Sequence, residues 1–100
     1  MPLFIMLMNW TEKGIHSIRD WSKRANDARS YGKKVGVTIK DVYLTTGDYD
    51  LLAVLDAPSA DNVARFALGI GANGSVRTKT AQAWTEAELA KFVTDLPSAP

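Results

Sequence analysis

Asp41-Val42-Tyr43-Leu44-Thr45-Thr46-Gly47-Asp48-Tyr49-Asp50-Leu51-Leu52-Ala53-Val54-Leu55-Asp56-Ala57-Pro58 is the stretch from which the fold is read. A β-branched and aromatic run enters Gly47-Asp48, and an apolar run leaves it. Gly and Asp accept the backbone angles of tight reversals that other residues resist. The pattern therefore predicts a β-hairpin. Its first strand is expected over residues 35–46 and its second over residues 49–57. Val35, Val37 and Ile39 share one parity, whereas Val42 and Leu44 share the other, so a bulge is expected near Lys40 and Asp41. In the second strand both Leu51, Ala53, Leu55 and the alternating set Leu52, Val54 are apolar, and both faces should be covered.

Working outward, residues 3–8 form a near-continuous apolar run and predict a strand buried on two sides. Leu3, Ile5 and Leu7 face one way; Phe4, Met6, Met8 and Trp10 face the other. The run has no basic leader and is too short to span a bilayer, so it reads as a strand and not as a signal peptide. Thr11 is a helix N-cap followed by Glu12, with Trp10 and Ile15 at hydrophobic-staple spacing. One helix is expected from there to Gly32 and Gly36, with Ile15, Ile18, Ser22, Ala25 and Ala28 toward the sheet. Pro58-Ser59 opens a second helix whose stripe is Val63, Phe66, Ala67 and Ile70. Residues 75–84 alternate as a fourth strand. Thr85 and Glu88 form a capping box, and a short last helix should turn Leu89, Phe92, Val93 and Leu96 inward before Pro97 stops it.

The order β-α-β-β-α-β with a short C-terminal helix is an α+β, ferredoxin-like sandwich. One domain is expected over residues 1–97, with a loose tail at 98–100. Helices cover only one face of such a sheet, yet both faces here are apolar. A second copy of the chain, packed sheet face to sheet face in a homodimer or a higher homo-oligomer, would supply the missing cover.

Composition narrows the function classes. The chain has 100 residues, 46% hydrophobic and 23% charged, an ordinary globular balance. Its 12 basic and 11 acidic residues leave a net charge of +1, which argues against nucleic-acid or acidic-membrane partners held by charge. With no cysteine and one histidine, disulfides, thiol catalysis and Cys-based metal sites are excluded, and no metal or cofactor is expected. The absence of cysteine fits a reducing, cytoplasmic setting. Gly69, Gly71 and Gly74 fall late in a helix and at its exit, the wrong context for a phosphate loop.

Several short motifs together carry a resemblance: Met8-Asn9-Trp10-Thr11 with Gly14-Ile15, Lys23-Arg24, Gly36, Lys40-Asp41-Val42-Tyr43, Gly47-Asp48-Tyr49-Asp50, Ala57-Pro58, Phe66-Ala67, and Gly74 through Thr78. Over nearly its whole length the chain resembles the GYD-domain family of small bacterial proteins. The resemblance implies a fold of the dimeric α/β-barrel type and no established activity. One departure stands out: Trp21-Ser22 occupies the place before Lys23-Arg24 where the family is expected to carry a helix-breaking Ser-Pro. The hairpin is also similar to the effector-binding domain of leucine-responsive regulators, but there is no room here for their DNA-binding domain.

Candidate site residues follow from side-chain chemistry. Asp48 and Asp50 flank Tyr49; a carboxylate beside a phenol can move protons or hold an amine, although Asp in a turn also serves the turn. Arg77, on the fourth strand, can clamp a carboxylate or form an ion pair between subunits, and Arg24 can partner Asp50. His16 is a candidate base, against the simpler reading as a surface residue. Trp10, Trp21 and Trp84 are core by default, and Trp10 and Trp21 can also wall a pocket. The leading expectation is an oligomeric module that binds a small organic ligand through Tyr49, Asp50, Arg77, Arg24, Trp10 and Trp21. A cofactor-independent isomerase, decarboxylase or oxygenase using Asp50 or His16 comes second. A purely structural assembly subunit, sensitive to charge at apolars such as Met6 or Leu52, comes third.

Overall fold

The computed structural model describes residues 1–99. Pro100, the last residue of the expected tail, lies outside them. Strand β1 spans Leu3–Trp10, helix α1 Glu12–His16 and helix α2 Trp21–Lys34, with a single 3-10 turn at Ile18–Asp20 between the helices. Strands β2 (Thr38–Leu44) and β3 (Leu51–Asp56), helix α3 (Ala60–Ala72), strand β4 (Val76–Ala83) and helix α4 (Glu86–Asp95) follow. The four strands form one antiparallel sheet in the order β2-β3-β1-β4, the ferredoxin-like arrangement.

The hairpin is present. Tyr43 stands opposite Leu52 and Val42 opposite Ala53, and the register shifts between Ile39 and Asp41, where the parity change required a bulge. Gly47 takes φ +100°, a left-handed conformation open to glycine at little cost. Thr45 closes the turn: its N–H donates to the Asp50 carbonyl at 2.8 Å and its hydroxyl to the Tyr49 carbonyl at 2.5 Å.

The pleat sorts the central strands cleanly. Phe4, Met6 and Met8 from β1 and Leu51, Ala53 and Leu55 from β3 lie in the core with Val63 and Phe66 of α3. Met6 is 1% exposed. It therefore faces the helices, and of the two residues named for the outer interface only Leu52 lies on the other side. Leu3, Ile5, Leu7, Leu52 and Val54 form that other face, which none of the described elements covers and where they remain half-exposed. Asp41 and Tyr43 extend it along β2, and Arg77, Lys79, Ala81 and Ala83 along β4.

Two sequence expectations are corrected. The first helix is not continuous. It ends at His16 and restarts at Trp21. The restart changes the helical phase, so Ile15 and Ile18 are exposed while Trp21 and Tyr31 pack against the core. Helix α4 forms with its capping box complete: Glu88 N–H donates to Thr85 Oγ1 at 3.1 Å, and Thr85 N–H donates to Glu88 Oε1 at 2.9 Å. None of its residues is buried, however. Trp84, at 53% exposure, is not core either and instead meets Phe92 edge to face at 6.2 Å. The chain is correspondingly long, 53 × 31 × 20 Å, with a radius of gyration of 15.7 Å against about 13 Å for a compact domain of this size.

Candidate functional site

The restart at Trp21 builds the site. Helix α2 presents Trp21, Arg24, Ala28 and Tyr31 toward the sheet across a cavity of about 530 Å³. Its floor is Met6, Met8, Leu51, Ala53 and Leu55 from the two central strands. Trp10 and Trp21 meet edge to face at one side, ring centroids 6.2 Å apart and planes at 88°. Tyr31 stacks on Phe66 at 6.2 Å on another. Gly69 of α3 lets the Tyr31 ring lie directly against the α3 backbone, where any side chain would collide with it. The volume lies in the range typical of small-molecule sites, and so does the wall chemistry, mostly apolar with a few polar groups.

Arg24 is the half-buried cation of this cavity; Lys23 and Arg29, also in its lining, are exposed. Its Nη1 donates to Ser75 Oγ, and Ser75 is itself buried at the entrance to β4. Asn73 Nδ2 donates to the same oxygen at 3.2 Å. Arg24 Nε is buried and has no hydrogen-bond partner. Among the described residues the ion pairs are Lys23–Asp27 and Lys40–Asp56, so Arg24 has no carboxylate partner, neither Asp50 nor another.

Ser75 is held from the opposite side by the helix start. Thr11 N–H donates to the Ser75 carbonyl at 3.1 Å, and the Thr11 hydroxyl donates to the Gly74 carbonyl at 2.5 Å. Gly14 lies against that Ser75 carbonyl with no room for a Cβ. The cap of α1 and the end of α3 thus converge on the residue that orients Arg24.

Tyr49 and Arg77 lie elsewhere. They line a second, shallower groove of about 640 Å³ with Leu7, Asn9, Thr78 and Lys79. Lys79 Nζ lies 6.0 Å from the centre of the Tyr49 ring, within cation–π range. Trp10 lines both cavities. Asp50 lines neither: its carboxylate accepts from Trp10 N–H at 3.0 Å, and its own N–H donates to the Met8 carbonyl at 3.0 Å and to Asn9 Oδ1 at 3.1 Å. His16 is exposed at the end of α1 and also lines neither. The expected ligand set therefore divides, with Trp10, Trp21 and Arg24 at the inner cavity and Trp10, Tyr49 and Arg77 at the outer groove. Sequence reasoning did not single out Ser75 or Tyr31. The only signal for Ser75 was its place after Asn73-Gly74, the hinge into β4. Among the described residues no group of three or more His, Asp or Glu side chains could hold a metal ion, and no helix is long and apolar enough to cross a membrane.

Comparison with known proteins agrees with this architecture. The family model described as GYD domain matches residues 4–93. A Thermus thermophilus protein described as a glutamine synthetase and cystathionine beta-lyase binding protein is 32% identical over 90 residues, which cover 89% of this chain and 95% of that one. Among solved structures, the crystal structure of MtbAldR (Rv2779c) superposes with a TM-score of 0.65 at 16% identity. That match covers 85% of this chain and 52% of the other, so the chain spans about half the length of that protein, and the likeness is one of fold.

Proposed function

The chain belongs to the GYD-domain family, and from that premise we propose that it is a self-associating module that binds a small organic ligand in the cavity beneath α2. The cavity itself is the observation that carries this reading: about 530 Å³ between helices and sheet, with mostly apolar walls and few polar groups, matches the size and chemistry of small-molecule sites. Two copies would pack with their open sheet faces together, which would remove Leu3, Ile5, Leu7, Leu52 and Val54 from water. The lack of cysteine supports a cytoplasmic setting.

Native mass spectrometry of gently purified protein, repeated under denaturing conditions, tests both parts. A multiple of the chain mass carrying a discrete excess that disappears on denaturation is the expected result. An oligomer without any excess, unaltered by candidate ligands, would count against the ligand site and favour the structural-subunit reading. A monomer would refute the face-to-face assembly.

A second reading has its own observation. Leu89, Phe92 and Val93 form an exposed apolar stripe on α4, with exposed Leu96 just past its end, and the Thermus relative is described as binding two enzymes. On this reading α4 docks on a larger enzyme. Co-elution with purified glutamine synthetase or cystathionine beta-lyase, abolished by Phe92→Glu, would support it; no co-elution with either would count against it. A catalytic role has less support, because Asp50 is engaged with backbone and neither Asp50 nor His16 lines a cavity.

A further inference from the structure

We infer that the inner cavity selects a small monocarboxylate with an apolar body, its carboxylate held by Arg24. The inference rests on the ligand-binding reading above and adds the chemical class.

A guanidinium offers five N–H donors in a fixed fork. Nη1 of Arg24 is taken by Ser75 Oγ. Nε is enclosed by protein atoms and has no hydrogen-bond partner, so no ligand atom reaches it. The donors that remain are the N–H groups of the two Nη atoms that the bond to Ser75 leaves free, on a residue that lines the cavity. No carboxylate of the described chain neutralises the guanidinium. Arg24 is thus a cation without a partner on a largely apolar wall, and a carboxylate is the group that satisfies both its charge and its free donors.

The surroundings define the rest of the ligand. Met6, Met8, Leu51 and Ala53 are apolar, and Trp10 and Trp21 offer aromatic edges and faces. A phosphate carries a larger charge and more acceptors than a single guanidinium can satisfy, whereas a carboxylate matches it in charge. The exposed Lys23, Asp27 and Arg29 also border the cavity and place its mouth along α2. Ser75 acts as a positioning residue: its Oγ accepts from Nη1 and so fixes the orientation of the guanidinium, although Ser75 also lines the cavity.

The test compares 3-phenylpropionate and hexanoate with their carboxamides, which match them in shape but carry no charge. Binding is read from thermal shift and calorimetry on the full chain. The carboxylates should bind roughly tenfold or more tightly than the amides. Arg24→Gln should erase that preference, so that acids and amides bind alike. Ser75→Ala should reduce the carboxylate-to-amide ratio by several-fold, which a general loss of packing, weakening acid and amide alike, would not produce. If Arg24→Gln does not fold, the Ser75→Ala ratio decides. Equal binding of acids and amides would overturn the carboxylate inference and leave the cavity reading intact. Carboxylate preference undiminished in Arg24→Gln, or in Ser75→Ala where that variant decides, would place the anion elsewhere and overturn it too. Failure of both acids and amides to bind would overturn the inference together with the cavity reading.

Discussion

The main-chain N–H of Trp10 donates to the Asp50 carboxylate at 3.0 Å, so the last residue of β1 is tied to the residue that opens β3. Asp50 N–H returns bonds to the Met8 carbonyl and to Asn9 Oδ1. The Gly-Asp-Tyr-Asp turn is thereby fastened across the sheet at the point where Trp10 enters both cavities.

From this follows a stability prediction for Asp50. Asp50→Ala removes the acceptor and leaves a part-buried N–H unpaired, at a cost of about 1–3 kcal/mol. Asp50→Asn keeps a carbonyl oxygen in place and should cost less than half as much. Urea denaturation of the two variants beside the parent measures both. Equal losses would mean that the carboxylate charge, and not the hydrogen bond, carries the effect.

The open sheet face separates self-association from folding. Tyr43, opposite Leu52 on neighbouring strands, is 54% exposed. Leu52→Lys should leave the far-ultraviolet circular dichroism unchanged and convert the oligomer to monomer in sedimentation velocity. Met6→Lys, one pleat away and turned toward the helices, should prevent folding because it places an unpaired charge in the core. If Leu52→Lys sediments like the parent, the face-to-face assembly is wrong.

Gly14 gives a sharper steric test. Its Cα faces the Ser75 carbonyl that accepts from Thr11 N–H. Gly14→Ala is a favourable change in an ordinary helix, worth up to ~1 kcal/mol. Here it should instead destabilise by roughly 1–3 kcal/mol, because a methyl group must displace backbone. It should also weaken carboxylate binding, since Ser75 moves and Arg24 with it. A thermal melt and one titration report the two effects.

The hairpin, the bulge near Lys40 and the Thr85–Glu88 cap were legible in the sequence because each depends on neighbours within a few residues. The sheet order followed from counting elements and the pleat. The split of the first helix was not legible: residues 16–20 contain no proline or glycine, and the expected Ser-Pro was absent. The contact that makes the site, Arg24 with Ser75, joins residues 51 positions apart and depends on where α1 and α3 end. Trp10 and Trp21 read as core with a pocket wall as the alternative, and the structure has them packed against the core while also lining the inner cavity. Asp50 looked chemical from its type alone, and only its hydrogen bonds show where its lone pairs go.

Helix α4 offers the last test, because it is locally well specified and globally unsupported. Its capping box is worth about 1 kcal/mol, whereas an isolated ten-residue helix is marginal in water. Thr85→Ala should therefore unfold α4 in a large fraction of molecules and raise hydrogen exchange over Glu86–Asp95 several-fold. The melting temperature of the sandwich should hardly change, since no residue of α4 is buried against it. If Thr85→Ala lowers that melting temperature by several degrees, α4 contributes to the folded assembly after all, and its apolar stripe has a partner in solution. Repeating the measurement on the Leu52→Lys monomer then identifies the partner. If the effect of Thr85→Ala vanishes in the monomer, the stripe packs on a second copy of the chain.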